Sequence, residues 1–221
     1  MLPRIPEPEL MDDPRQAAAY AAADFSEPHG MFIDRFQAAF LKDAIRGYVL
    51  DLGCGPADIS MRFARRYPAC RVDGVDGAAC MLVEARRAID SAGLSRRIRL
   101  VRGTLPGARL PRRRYSTIIS NSLLHHLHDP GVLWESIKRY AAHHARVFVM
   151  DLRRPATEAA ARKLVKRYAG EEPLILQRDF YNSLRAAFLP EEVGVQLREA
   201  GLGKLRIETV SDRHYTVFGR L

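Results

Sequence analysis

Apolar runs typical of buried strands recur along this chain and alternate with amphipathic stretches typical of helices. In the first two thirds of the chain, the apolar runs predict strands at 48–51, 70–76, 98–101, 117–120 and 145–151. The amphipathic stretches that separate them predict helices at 57–67, 78–92 and 130–141. Strands and helices that alternate at this pace predict βαβ units and a parallel sheet.

The pattern differs on both sides of this region. Before it, the proline-rich residues 1–15 predict an irregular arm and residues 15–45 predict a helix. After it, the pattern predicts, in order, helical structure at 155–188 with a break at Pro173, a helix at 190–200 and strands at 205–210 and 214–220. The last two strands are close enough in sequence to form a hairpin. We therefore predict an α/β fold, a three-layer sandwich around a seven-stranded, mostly parallel sheet with an antiparallel strand in the terminal hairpin.

Acidic residues and glycines close the first two predicted strands. Asp51 ends the first strand, Gly53 and Gly55 form the turn after it, and Asp76 ends the second strand. Ligands of open α/β sheets bind beyond the carboxyl ends of the strands, and glycines let the backbone approach them closely. A carboxylate at position 76 can accept both hydroxyls of a ribose. Asp58 stands where a dinucleotide-binding turn has its third glycine, which favours a cationic cofactor over a pyrophosphate.

Four motifs follow the predicted strands: Val49–Ala57, Val75–Leu82, Arg102–Pro106 and Ile119–Leu127. In combination they resemble the class I SAM-dependent methyltransferases, and the resemblance covers about residues 45–151. It implies a Rossmann-like fold, with S-adenosyl-L-methionine (SAM) as the cofactor and S-adenosyl-L-homocysteine (SAH) as its product. The motifs indicate the cofactor and say little about the acceptor.

The resemblance also implies which positions contact the cofactor. Residues after the first and fourth strands would line its methionine part: Gly53, Cys54, Gly55, Asn121 and Ser122. Asp51 would hold the ammonium group, and Asp76 would bind the ribose. Four further residues would surround the adenine: Gly77, Met81, Thr104 and Leu105. Thr104 stands where the family usually has Asp, which leaves the contact to the adenine amino group open.

Two adjacent histidines after the fourth strand, His125 and His126, are the candidate general bases, because histidine titrates near neutral pH. Neighbouring positions on a helix point in different directions, so we predict that at most one of them reaches the pocket. The alternative is that both histidines only pack or cap the helix start. Methyl transfer is a direct displacement, so we expect alignment to supply most of the catalysis. The spacing of these histidines is not that of helical metal ligands, so we predict no metal site.

Side chains in the flanking segments are the candidate acceptor-binding residues. Tyr20 lies in the N-terminal helical region and Tyr181 in the helical segment after the fifth strand, and both segments commonly cover the pocket in the family resembled. Arg153 follows the fifth strand and, beside Asp151 and Arg154, could grip an acidic or polar group. The alternatives are ordinary core packing for the tyrosines and a surface ion pair for Arg153.

The net charge of +9 favours an anionic partner such as nucleic acid. However, the arginine runs precede strands or end helices: 62–66, 96–97 and 112–114. In a parallel sheet this is the edge opposite the cofactor, where positive charge complements helix dipoles. We therefore predict a small-molecule acceptor and no nucleic-acid partner. The alternatives are an RNA or protein methyltransferase, or a SAM-binding regulatory protein without turnover.

The length and composition predict a single domain over 1–221. Its predicted parts are a helical N-terminal lid at 1–45, a SAM-binding core at 46–151, a helical insertion at 152–189, and a terminal helix and hairpin at 190–221. No apolar run approaches the roughly 20 residues of a membrane span. Three cysteines without a CxxC pair fit a reducing compartment, so we predict a cytoplasmic protein that does not bind membranes.

Overall fold

A computed structural model describes residues 2–221 and shows a seven-stranded sheet in the order β3-β2-β1-β4-β5-β7-β6. The strands are β1 Gly47–Leu52, β2 Cys70–Asp76, β3 Ile98–Arg102, β4 Tyr115–Asn121, β5 Ala141–Leu152, β6 Arg206–Thr209 and β7 His214–Arg220. Strands β1 to β5 pair in parallel, and β7 is antiparallel to both of its neighbours, β5 and β6. The predicted fold class is confirmed. The strand order reverses between β1 and β4, so a ligand site is expected beyond their carboxyl ends.

Eight helices flank the sheet in the described part of the chain: α1 Pro14–Ala22, α2 Ser26–Ala39, α3 Asp58–Arg66, α4 Ala79–Ser91, α5 Gly131–Tyr140, α6 Glu158–Ala169, α7 Leu174–Ala186 and α8 Pro190–Glu199. One helix was predicted over 15–45, and the structure has two. The Asp13 side chain caps α1 by accepting from the backbone N–H groups of Arg15 and Gln16. The Asp24 side chain accepts a hydrogen bond from the backbone N–H of Ser26, the first residue of α2. This second helix start divides the single predicted helix into two.

Two apolar clusters fill the layers on either side of the sheet. One contains buried side chains of α5 and α8, including Trp134, and the other contains those of α2, α3 and α4. The phenylalanine stripe of α2 belongs to the second cluster, where Phe32 and Phe36 pack edge-on against Phe148 of β5. Burying a side chain of this size contributes about 1.5–3 kcal/mol. The stripe therefore anchors α2 to the sheet and fixes the α1–α2 connection near the carboxyl ends of the strands.

The remaining helices lie outside the alternating core. Helices α1 and α2 precede β1, and α6 and α7 stand between β5 and α8, with Pro173 between them. The division of the chain into a lid, a core, an insertion and a terminal hairpin within one domain stays a prediction. Within residues 2–221, none of the helices is both long enough and apolar enough to cross a bilayer.

Candidate functional site

Two cavities meet beyond the carboxyl ends of β1, β2 and β4. The first, of about 1040 Å³ including its open mouth, lies between the turn after β1, the end of β2 and residues 9–11. The second, of about 1290 Å³ including its mouth, lies between α1, α2, α6 and α7. Six residues line both cavities: Met11, Tyr20, His29, Asn121, Ser122 and His126. A molecule in one cavity can therefore meet a molecule in the other.

The turn after β1 presents its backbone to the first cavity. Gly53 has a φ of +70°, and a Cβ at this position would lie 2.8 Å from Leu123 Cδ1. Gly55 has a φ of +50° and opens onto free space. The N–H groups of Gly53 and Cys54 both donate to the carbonyl of Val75, which ties the turn to β2. Positive φ and close packing explain why glycine occupies position 53.

Asp51 is a buried carboxylate on the wall of the first cavity. It is 1% exposed, and the Ser60 hydroxyl donates to its Oδ2 at 2.6 Å. Burial raises the pKa of Asp51 to about 7, against the opposing effect of the Ser60 hydrogen bond. A cationic group that entered the cavity would favour the ionised form of this carboxylate. This suits the ammonium group that the sequence predicts here.

In the structure, the Asp58 carboxylate is paired with two basic side chains of the protein. His29 Nδ1 and Arg62 Nε both lie 2.6 Å from Asp58 Oδ2. The carboxylate charge is thus met by side chains of the protein itself. Of the two acidic residues that favoured a cationic cofactor, Asp51 is the one without a basic partner among the described residues.

Asp76 is held rigidly at the end of β2. Its Oδ2 accepts from the N–H of Gly55 and its Oδ1 from the N–H of Ala78, both at 2.8 Å. Burial raises the pKa of Asp76 although these backbone hydrogen bonds act to lower it. Each carboxylate oxygen can accept a second hydrogen bond. The side chain is therefore positioned to accept a pair of hydroxyl groups from the first cavity.

The adenine-side residues predicted from the sequence line the same cavity. A Cβ on Gly77 would lie 2.7 Å from Leu10 Cδ2 and 3.0 Å from Thr104 Cγ2. Met81 is 3% exposed, and Leu105 completes this part of the wall. Leu10 was not predicted, because its contact joins the N-terminal arm to a turn far along the chain. We define the N-terminal arm as residues 2–12.

Asn121 and Ser122 stand where the two cavities join. The side-chain Oδ1 of Asn121 is buried and accepts no hydrogen bond from residues 2–221. Ser122 has a φ of +54°, an uncommon conformation outside glycine, and its N–H donates to the carbonyl of Met150 at 2.9 Å. Backbone strain of this kind is concentrated at functional sites. Both observations fit a position that contacts a ligand.

His125 is fixed by a carboxylate that sequence reasoning did not pair with it. It is 2% exposed, and its Nδ1 lies 2.5 Å from Asp151 Oδ1. The N–H of Leu124 donates to the other oxygen of Asp151 at 2.7 Å. Burial acts to lower the pKa of His125, but Asp151 and Glu7 outweigh it and raise the pKa above its usual value. His125 is therefore held in one orientation by a buried carboxylate.

His126 lines both cavities, and both histidines line the second one. The prediction that at most one of them reaches the pocket is wrong, because both rings border the second cavity directly after β4. The two rings lie 4.2 Å apart. Burial, and then the charge of His125, lowers the pKa of His126 to about 3, so this ring is neutral.

Glu7 of the N-terminal arm joins the two histidines. Its Oε1 lies 3.2 Å from His126 Nδ1 and 3.6 Å from His125 Nε2. One potential ligand atom from each of the three residues lies within 4.8 Å of the other two. The sequence predicted no metal site, since Glu7 is distant in sequence and carries no motif.

Tyr20, the first predicted acceptor residue, lines both cavities and stacks against Phe25 with ring centroids 4.6 Å apart. Burial raises the pKa of Tyr20 to about 12, with a smaller contribution from Asp58. Its phenol therefore stays protonated and can donate a hydrogen bond. The aromatic pair forms part of the wall where the cavities meet.

The other two predicted acceptor residues lie outside the cavity walls. Tyr181 packs between the guanidinium groups of Arg162 and Arg185, and its neighbour Phe180 lines the second cavity instead. A helix turns by about 100° per residue, and in α7 this leaves Asp179 and Phe180 on the side of the cavity and Tyr181 off it. Arg153 pairs through its backbone with Arg213, whose side chain lines the second cavity.

Arg154, considered beside Arg153 as a substrate grip, has a structural role. It is 5% exposed, its Nη1 donates to the Ala187 carbonyl at 2.9 Å, and its Nη2 donates to Glu192.

Side chains that line the cavities but were not predicted include Glu9, Leu10, Met11 and His29. The apolar and polar pattern carries no signal for them, because their contacts cross the chain.

A seven-stranded sheet in this order, with a glycine turn after β1, an acidic residue ending β2 and a terminal antiparallel strand, defines the Rossmann-like fold of class I methyltransferases. Residues 49–140 match the family model described as "Methyltransferase domain". This segment, which spans β1 to β4 and helices α3 to α5, is therefore similar to methyltransferase domains, and the fold of the chain is that of class I methyltransferases.

Solved structures share the fold across most of the chain. A SAM-dependent methyltransferase from Aquifex aeolicus is similar with a TM-score of 0.66 and 18% identity, covering 94% of this chain and 98% of that one. The plantazolicin methyltransferase in complex with a triazolic desmethylPZN analog and SAH is similar with a TM-score of 0.69 and 12% identity, covering 92% and 89%. At these identities the similarity shows the fold.

A shorter segment is similar in sequence to trans-aconitate 2-methyltransferase of Escherichia coli. The two chains are 45% identical over 42 residues, which is 19% of this chain and 17% of that protein. The match therefore spans about a sixth of the relative's length. It is too short to transfer a substrate.

Proposed function

We propose that this protein transfers a methyl group from SAM to a small-molecule acceptor. The observation that carries the proposal is the junction of the two cavities at Asn121, Ser122 and His126. A group-transfer enzyme must bring donor and acceptor into contact and exclude water between them. Two cavities that share a wall beyond the switch point of the sheet meet this requirement.

The first cavity fits the cofactor. The immobilised carboxylate of Asp76 matches a ribose diol, and the buried carboxylate of Asp51 matches an ammonium group. The wall near Gly77 is largely apolar, with Leu10, Met81 and Leu105 beside Thr104, which suits a flat adenine ring. When bound, SAM supplies a methyl group on a sulfonium, which is a good leaving group.

Alignment rather than a strong base would supply most of the catalysis in this site. His125 is bound through Nδ1 to Asp151 and lies beside Glu7 through Nε2, so both of its ring nitrogens already face carboxylates of the protein. His126 is neutral, but a pKa of about 3 makes it a weak base. Orientation of two bound reactants can lower a barrier by about 7–11 kcal/mol without proton transfer. The two histidines then act at the acceptor end by holding and orienting it.

The second cavity supports a small acceptor. Its walls combine aromatic rings such as Phe25, Tyr168 and Phe180 with acidic residues. Its two arginines are paired, Arg167 with Asp212 and Arg213 with Glu27. It has no run of unpaired cations that would track a phosphate backbone. The arginine run 112–114 precedes β4, at the opposite edge of the sheet, and Arg112 is bound between Asp73 and the Tyr48 ring.

Calorimetry with SAH tests the cofactor site. The wild-type chain is expected to bind SAH with one site per chain. Asp76→Asn is expected to weaken binding by about 10- to 100-fold, because hydrogen bonds to a charged acceptor contribute about 1.5–3 kcal/mol. The matched control is Asp34→Asn, an exposed aspartate on α2 that touches neither cavity. Absence of heat with the wild-type chain, or equal affinity in Asp76→Asn, would contradict the assignment.

Transfer itself is tested with SAM that carries a labelled methyl group. The protein is incubated with a fractionated extract of its source organism, and label is followed into small molecules, protein and RNA. We expect label in the small-molecule fraction, in amounts that fall with Asp76→Asn. Label in RNA or protein would support the macromolecular alternatives instead. SAH binding without label in any fraction would support a regulatory SAM-binding protein.

A further inference from the structure

Glu7, His125 and His126 converge at the edge of the second cavity although they come from two distant segments of the chain. We infer that these three side chains form a binding site for a divalent transition-metal ion such as Zn²⁺. Two imidazoles and one carboxylate are a ligand set that such ions prefer. Metal binding by this cluster does not depend on the proposed methyl transfer and can be tested without it.

Two of the three spacings between ligand atoms fit a tetrahedral ion, and the third, between His125 and His126, is within 4.8 Å. Bonds of about 2.0–2.1 Å from zinc to nitrogen or oxygen place neighbouring ligand atoms about 3.3–3.4 Å apart. Glu7 Oε1 lies 3.2 Å from His126 Nδ1 and 3.6 Å from His125 Nε2, on either side of that value. The site therefore needs little rearrangement of these pairs to hold an ion.

The surrounding side chains hold two of the three ligands in place. Asp151 binds His125 Nδ1 at 2.5 Å, which leaves Nε2 directed at Glu7. Ligating histidines usually have such a carboxylate on the other ring nitrogen, where it fixes the ring and increases its basicity. The hydroxyl of Ser183 donates to Glu7 Oε1 at 2.9 Å and orients the carboxylate.

The third ligand, His126, has a buried ring nitrogen without a hydrogen-bond partner among the described residues. His126 Nδ1 is buried and makes no hydrogen bond with residues 2–221, although Glu7 Oε1 is only 3.2 Å away. A buried polar atom without a partner is costly, and each instance calls for a physical explanation. A metal ion between His126 and Glu7 would satisfy this nitrogen and the carboxylate together.

The charges near the cluster are compatible with a cation. Glu7 and Asp151 bring two carboxylates, and the nearest opposing charge is Arg4. Arg4 Nη2 is occupied by the backbone carbonyls of His125 and Leu127, at 3.2 and 3.0 Å.

The protein supplies three ligands, so an ion here would keep an open position, as catalytic zinc sites do. The histidines line the second cavity, which provides an entry path.

The test uses the full chain without a histidine tag, stripped of metal by a chelator and then titrated with Zn²⁺ or Co²⁺. We expect one equivalent to bind, and tetrahedral Co²⁺ gives visible absorption bands that report the ligand set. Glu7→Gln and His126→Ala should each weaken binding by at least about 100-fold, and Asp151→Asn by about 10- to 100-fold. The matched controls are Glu199→Gln and His143→Ala, which remove exposed side chains of the same types away from both cavities.

Three results would overturn the proposal. They are the absence of a bound equivalent in the wild-type chain, affinity unchanged by Glu7→Gln, and loss of binding in His143→Ala. Circular dichroism of each variant shows whether it is folded, and Glu7→Gln keeps the shape of the side chain and the Ser183 contact. SAH binding is measured on the same samples. A failure of the cofactor proposal would remove SAH binding and leave the metal titration intact.

Discussion

Asp51→Asn gives the most direct test of the electrostatics of the cofactor cavity. The carboxylate is 1% exposed, and burial raises its pKa from 3.8 to about 7. A carboxyl group whose pKa is higher in the folded chain binds more protons when folded. Its contribution to stability is therefore fully present below the unfolded pKa near 3.8 and is lost as the pH rises towards 7. Above pH 7 the cofactor-free chain holds a buried negative charge with no basic partner among the described residues.

The magnitude follows from the pKa itself. Each pH unit between the two pKa values changes the free energy of unfolding by about 1.36 kcal/mol. Between pH 5 and pH 8, the free energy of unfolding changes only up to the folded pKa of about 7. This interval is two pH units and corresponds to about 3 kcal/mol. Asparagine cannot ionise, and its carbonyl can still accept from the Ser60 hydroxyl. The variant should thus gain about 3 kcal/mol relative to wild type between pH 5 and pH 8.

Urea unfolding of both chains at pH 5 and pH 8, without cofactor, measures this difference. Asp34→Asn is the control, since Asp34 is exposed and its removal should leave the pH dependence unchanged. Saturating SAH should stabilise the wild-type chain more than Asp51→Asn at pH 8, because the ligand's ammonium group interacts favourably with an ionised Asp51 and not with an asparagine. A stability difference between wild type and Asp51→Asn that is the same at both pH values would refute the reasoning.

Two further predictions concern the walls of the same cavity. Gly53→Ala should destabilise the chain by about 1–3 kcal/mol in thermal or urea unfolding, because the new Cβ meets Leu123 at a φ of +70°; unchanged stability would mean that the turn adapts. Leu10→Ala should weaken SAH binding several-fold in calorimetry with little change in melting temperature, because Leu10 covers Gly77 yet is 45% exposed. Leu174→Ala, at a site that is 80% exposed and away from the cavity, is its control and should bind SAH as wild type does.

The sheet and the first cavity could be predicted because their signals are local. Each strand is a short apolar run, and the residue that ends it is read directly from the sequence. Asp51 and Asp76 then lie at one edge because parallel strands end together. The parallel topology brings the two strand-ending aspartates to one site, so their proximity can be predicted without knowing any side-chain contact.

The acceptor end could not be predicted in the same way. Its two histidines are held by carboxylates that are distant in sequence, Asp151 on β5 and Glu7 in the N-terminal arm. Tyr181 was placed on the wall by its type, but the phase of α7 turns Phe180 inward instead. A shift of one residue along a helix decides which side chain faces a cavity, and sequence boundaries are less precise than that.

The N-terminal arm joins the two cavities although it has no helix or strand over residues 2–12. Its prolines predict irregular chain and give no signal for the contacts that its side chains make. Arg4 binds the carbonyls of His125 and Leu127, and Glu7 meets the two histidines at the second cavity. Leu10 packs over Gly77 at the first cavity. A segment without regular structure therefore links both parts of the site, because its side chains reach residues that are far away in the sequence.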